Sequence, residues 1–245
     1  MEGWRECHTD KDLGKGKGIK IAVIDSGINT WHPHIQNVVG GIALSVNEEG
    51  RIELNDDITD RLGHGTAVAG ILSDQVPEAE IYAVKVFDEN LFTHAEVLCA
   101  AIEWCMFNEI HIINLSLSLK KDVAAFREIC DEAEKEGIVL VSSCDRNRGL
   151  MWPGSYQSVF GVERGAHARY NLCYYNPNEE ISFQAYGLPR ELEGPMQKYN
   201  LNGHSFAAAY VTSYLAKLIE HGRLAEIRGE EKSPVSNQSM VVERT

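Results

Sequence analysis

Ile21-Ala22-Val23-Ile24-Asp25-Ser26-Gly27-Ile28 is the stretch on which the reading of this chain turns. Residues 19–24 form a near-continuous apolar run rich in β-branched side chains, and the run stops on a carboxylate. Such a run reads as a strand buried on both faces, the kind found in parallel sheets covered by helices. Residues 81–87, 110–117, 138–142 and 159–162 repeat the pattern. Helical patterns lie between them. Residues 66–72 are small enough to pack close to a sheet, and 97–107 carry apolar residues at helical spacing (Val97, Ala100, Ala101, Trp104). Thr93-His94-Ala95-Glu96 has the form of a capping box at the start of that helix. Residues 122–136 end at Gly137, and 205–221 end at Gly222, as left-handed C-terminal caps favour. The alternation predicts an α/β fold with a predominantly parallel central sheet and helices on both faces.

No repeat or domain-sized linker interrupts this order. The expected organisation is an N-terminal extension over 1–17, one domain over 18–222, and a tail over 223–245. The tail is charged, lacks apolar periodicity and contains Ser233-Pro234, so it is predicted to be poorly ordered.

The 245 residues, 44% of them hydrophobic, can bury one sizeable core. A net charge of −13 argues against nucleic acid or an anionic membrane surface as partner. No window approaches the roughly 18 consecutive apolar residues of a membrane span. Residues 1–20 are polar and do not read as an export signal, so the expected compartment is the cytoplasm. The six cysteines show no metal or disulfide spacing and read as free thiols. No cofactor is implied. Asp56, Asp57 and Asp60 read as a polar surface loop, and His32-Pro33-His34 lacks further ligands for zinc.

Three short runs carry the chemistry. Asp25 ends the first strand, where a carboxylate is costly unless partnered. His64 stands between Gly63 and Gly65 at the start of a small-residue helix. Ser205, in Gly203-His204-Ser205-Phe206-Ala207, opens another helix. A serine hydroxyl needs a base to attack a carbonyl, an imidazole is that base near neutrality, and a carboxylate orients the imidazole. The N–H of Ser205 would meet the developing negative charge at a helix N-terminus. Taken singly, each has an ordinary alternative: a turn at Asp25, a satisfied surface histidine, an N-cap serine.

Taken together, the three runs resemble the subtilisin-like serine peptidases, in which the triad follows the chain order Asp, His, Ser. Ile81-Tyr82-Ala83-Val84-Lys85-Val86, Ala101-Ile102-Glu103-Trp104, Ile113-Asn114-Leu115-Ser116-Leu117 and Ala185-Tyr186-Gly187 extend the likeness across residues 18–222. The resemblance implies a serine endopeptidase with its site at the C-terminal edge of the strands, acting on peptide or protein substrates. It implies that Leu91-Phe92-Thr93 and Ser116-Leu117-Ser118 sandwich an extended peptide. Ser118 and Cys144 would narrow the first specificity pocket toward slim side chains.

The sequence departs from the family in three places. Where a Gly-Asn-x-Gly loop usually supplies the oxyanion donor, this chain has Cys144-Asp145-Arg146-Asn147-Arg148-Gly149. Asn147 is the preferred donor and Asp145 its competitor. His204 and Ala209 replace the usual Thr and Pro, with His204 read as packing or rim. The loop that binds calcium in secreted members is reduced to residues 72–77, too few oxygen ligands for that ion. A dedicated precursor-processing enzyme is the expected role, with a peptide-binding pseudoprotease and peptide ligation as rivals. The sequence is silent on oligomeric state.

Overall fold

The run ending at Asp25 becomes β2 (Lys20–Asp25), the centre of a ten-stranded sheet. The structure is a computed structural model describing residues 3–9, 13–149, 151–191 and 201–228. The other strands are β1 (Arg5–His8), β3 (Val38–Val46), β4 (Ile52–Asn55), β5 (Glu80–Lys85), β6 (Ile112–Leu115), β7 (Val139–Ser143), β8 (Val159–Arg164), β9 (Leu172–Tyr175) and β10 (Phe183–Ala185). Their order is β1-β9-β10-β8-β7-β6-β2-β5-β3-β4. Pairing is parallel from β10 through β3, and antiparallel only where β1, β9 and β4 extend the edges.

Period-two alternation divides the core. Ile21 and Val23 of β2 face one layer with α1 (His64–Gln75) and α4 (His204–Glu220). Ala22 and Ile24 face the other, with α2 (Ala95–Phe107) and α3 (Ala124–Lys135). Because β2 lies between β5 and β6, its C-terminus is where the strand order reverses, the usual crevice of an open α/β sheet. Asp25 occupies that end.

Five strands escaped the hydrophobic pattern: β1, β3, β4, β9 and β10. In β3 the pair Gly40-Gly41 interrupts the run, yet a Cβ on Gly41 would lie 2.2 Å from the Ala83 carbonyl oxygen. Glycine is what permits β3 and β5 to approach there. The predicted N-terminal extension is part of the sheet: β1 pairs with β9, and the buried Lys217 ammonium donates to the Thr9 carbonyl at 2.8 Å. The tail begins with a docked turn rather than loose chain. In α5 (Ala225–Arg228) Ile227 is buried, and Tyr175 Oη donates to its carbonyl at 2.8 Å. Residues 229–245 lie outside the described residues. The capping box does not form either. Helix α2 starts after His94 without a side-chain cap, because Thr93 belongs to a cleft wall.

A polar link crosses the core from sheet to helix. Asn114 of β6 donates to Ser116 Oγ (2.7 Å) and accepts from Thr212 Oγ1 of α4 (2.9 Å), all three buried. Removing one partner strands the others without water. Asn114→Ala is expected to lower stability by about 1–3 kcal/mol, read as a lower urea midpoint with an unchanged slope.

Candidate active site

Asp25 reaches the site at the switch point with no solvent exposure of its side chain. Its oxygens accept from His64 Nδ1 at 2.8 and 2.9 Å, and Oδ1 also accepts the Ser26 N–H at 2.7 Å. A carboxylate can only accept here, so Nδ1 carries the proton and Nε2 is left as the basic atom. His64 is the first residue of α1, directly after Gly63 in a left-handed conformation (φ 77°). A Cβ on Gly65 would lie 2.2 Å from the Gly27 carbonyl and 3.2 Å from the Asp25 Cβ. Glycine at 65 therefore sets how closely the helix can approach the aspartate.

A second carboxylate organises this junction, and the sequence reading missed it. Asp60 is buried rather than part of a surface loop. Its Oδ1 accepts from Ser26 Oγ (2.9 Å), Leu62 N–H (3.0 Å) and Gly63 N–H (2.7 Å). Oδ2 accepts from Thr66 N–H (2.8 Å) and Thr66 Oγ1 (2.6 Å), while Ser26 Oγ takes the Gly65 N–H at 3.0 Å. Asp60 thus satisfies first-turn donors of α1 and ties them to the residue beside Asp25. Its signal in the sequence was an Asp a few residues ahead of a helix start.

Burial pulls the His64 imidazole toward the neutral form, but the Asp25 charge, its hydrogen bond and the Asp60 charge outweigh that pull. The net result is a value above the ordinary 6.5. Phe206 packs against the ring at 5.6 Å between centroids.

His64 and Ser205 line one cleft of about 700 Å³ at the C-terminal edge of the strands. Ser205 is the second residue of α4, whose N-cap Gly203 provides no side-chain cap. Its hydroxyl lies 3.5 Å from the Ser116 carbonyl, and no hydrogen bond joins it to His64 among the described residues. All six predicted substrate-binding residues line the cleft: Leu91, Phe92 and Thr93 on one wall, Ser116, Leu117 and Ser118 on the other. Leu91 and Phe92 are exposed at the rim.

The oxyanion loop differs from expectation. Asp145, not Asn147, lines the cleft. The Asp145 carboxylate accepts the Asn147 N–H at 3.1 Å and so starts a 3-10 turn (Arg146–Arg148), which carries Asn147 out to an exposed position. Cys144 is buried in the cleft wall, and burial pushes its thiol up to about 12, which leaves it inert. His204, expected at the rim pointing away from Ser205, lines the same cleft. Among the described residues, no group of three or more His, Cys, Asp or Glu side chains could hold a metal ion. No helix among them is long and apolar enough to cross a membrane.

The sequence profile of the Subtilase family matches residues 16–231. The chain belongs to the subtilase family of serine endopeptidases. It is 33% identical over 221 residues to the major intracellular serine protease of Bacillus subtilis, covering 82% of this chain and 68% of that protein. It is 30% identical to a thermostable alkaline protease of Halalkalibacterium halodurans (82% of this chain, 56% of the relative). Similarity to subtilisin E of Bacillus subtilis is 28% (83% of this chain, 56% of the relative). The subtilase fold accounts for the parallel sheet and for the Asp25–His64 pair at its switch point.

The raised His64 value has a signed consequence. The Asp25–His64 pair contributes stability that is full below about pH 6.5 and is lost as pH rises through the folded-state value. Titration of the His64 ring followed by NMR is expected to give a midpoint above 6.5. Asp25→Asn removes the charge, leaves the burial, and moves that midpoint down.

Proposed function

We propose that this chain hydrolyses peptide bonds with Ser205 as nucleophile, His64 as general base and acid, and Asp25 as the group that orients and stabilises the imidazole. The observation that carries this reading is the buried Asp25–His64 hydrogen bond opening onto the cleft that also holds Ser205. An extended peptide lies between residues 91–93 and 116–118, adding a strand to each wall. Substrate draws the Ser205 hydroxyl from the Ser116 carbonyl toward His64 Nε2, since catalytic hydrogen bonds often tighten only in the complex. Oγ then bonds to the carbonyl carbon, its proton passes to Nε2, and the C=O π pair moves onto oxygen.

Collapse of that intermediate breaks the C–N bond, and His64 returns the proton to the leaving amine. Water repeats the sequence on the acyl-enzyme and regenerates Ser205. The N–H of Ser205 at the start of α4 supplies one oxyanion hydrogen bond.

Ser118 and Cys144, both lining the cleft, support a preference for slim side chains before the scissile bond. The physiological role proposed for this activity is trimming of a dedicated precursor peptide in the cytoplasm. Six unpaired cysteines agree with a reducing compartment, as does the likeness to the major intracellular serine protease of Bacillus subtilis. The net charge of −13 supports protein rather than nucleic acid as the macromolecular partner.

One observation favours a second reading, a peptide-binding module. A carboxylate, Asp145, stands where an amide donor is expected.

A biotinylated fluorophosphonate separates the two. Wild-type protein is expected to be labelled at Ser205, Ser205→Ala to give no label, and Asp25→Asn to lose about 10⁴-fold in rate. Folded wild-type protein that resists the probe overturns the peptidase reading. A peptide library is expected to be cut after Ala, Gly, Ser or Val; cleavage mainly after Phe, Tyr or Leu contradicts that preference.

A further inference from the structure

His204 is held in one tautomer by the backbone. The Arg164 N–H donates to its Nδ1 at 3.0 Å, and a backbone N–H can only donate. Nδ1 therefore has no proton, and the neutral ring carries its single N–H on Nε2. Burial lowers the ring's proton affinity, with the charges of Arg164 and Arg148 in the same direction and those of Asp145 and Glu163 opposing. The ring stays neutral, because a proton on Nδ1 would confront the Arg164 N–H. Among the described residues Nε2–H has no hydrogen-bond partner. Asp145 Oδ1 stands 3.8 Å away, beyond hydrogen-bond range.

Three further facts define what this N–H can do. His204 and Ser205 are consecutive first residues of α4, and both line the cleft with Asp145. The Asp145 carboxylate is already engaged, Oδ1 by the Asn147 N–H at 3.1 Å and Oδ2 by Arg148 Nε at 3.1 Å. It cannot donate a hydrogen bond as a carboxylate, and Asn147 does not line the cleft. The site thus lacks an amide donor from its oxyanion loop, but holds a rigid imidazole N–H beside the nucleophile.

We propose that His204 supplies the second oxyanion hydrogen bond through Nε2–H, with the Arg164 backbone N–H fixing both its tautomer and its orientation. This rests on the peptidase reading above and names the residue that completes it. In the tetrahedral intermediate the oxyanion accepts from the Ser205 backbone N–H and from His204 Nε2–H. No proton is transferred to or from His204. Asp145, paired with Arg148 at 3.1 Å, repels the oxyanion less than a bare carboxylate would.

The test uses the full chain and the rate at which a fluorophosphonate labels Ser205. In that reaction Ser205 Oγ bonds to phosphorus, fluoride leaves, the proton goes to His64, and the phosphoryl oxygen takes the oxyanion position. H204A is expected to slow labelling about 10²–10³-fold. H204Q, whose amide presents an N–H at similar reach, is expected to recover to within about tenfold of wild type. The pH midpoint of labelling, set by His64, stays the same in both variants. H204A labelled within threefold of wild type, or H204Q as slow as H204A, overturns the assignment. If H204A does not fold, the same contrast is made between H204Q and H204L, and equal rates overturn it. Wild-type protein that is not labelled defeats the peptidase reading and this inference with it. Labelled wild type with an indifferent His204 defeats this inference alone.

Discussion

A carboxylate with no solvent exposure, at the end of the central strand, is the constraint to which the rest of the site answers. Water would solvate it far better than the interior does, so the fold must surround it with donors. His64 Nδ1 and the Ser26 N–H do so, and both depend on geometry set elsewhere. The histidine can arrive only if α1 begins hard against β2, which glycine at 65 allows. The helix begins there because Asp60 gathers its early N–H groups and Ser26 Oγ into one set of hydrogen bonds. Two buried anions stand close together, each with its own donors. The second one adds to the positive bias on the His64 ring.

Ser205 is positioned from the other side of the sheet's edge. Asn114 in β6 bonds at once to Ser116, whose carbonyl faces the Ser205 hydroxyl, and to Thr212, two turns along the helix that Ser205 begins. A single amide therefore couples the Ser116 wall of the cleft to the helix that carries Ser205. Displacement of α4 along its axis would break a buried hydrogen bond, which fully satisfied cores resist.

Much of this was legible in the sequence wherever a signal was both local and apolar. The runs at 19–24 and 138–142 have no other reading than buried strands, and β2 and β7 formed within a residue or two of them. The Asp25–His64 pair and the place of Ser205 in the same cleft were legible because each residue sits in a distinctive run. The missed elements depend on partners far away in the chain. β1 is a strand only because β9 lies beside it, and nothing in Arg5–His8 announces that pairing. Asn147 was preferred as the donor on its Asn-x-Gly pattern, which carries no information about the side chain that starts the turn. Asp145 starts it, and the turn takes Asn147 away from the cleft. His204 was set aside because neighbours at a helix start were expected to diverge; the Arg164 N–H, forty residues earlier, holds it in the cleft instead.

Tyr175 has one further consequence. Its strand position pairs with Arg5, and its hydroxyl grips the Ile227 carbonyl, so segments from opposite ends of the domain are fastened to one edge residue. An enzyme that cuts extended peptides can also take frayed segments of a neighbouring copy into such a cleft. Detaching either segment costs a contact with that one tyrosine, so the first and last described elements of the domain share a single anchor on β9.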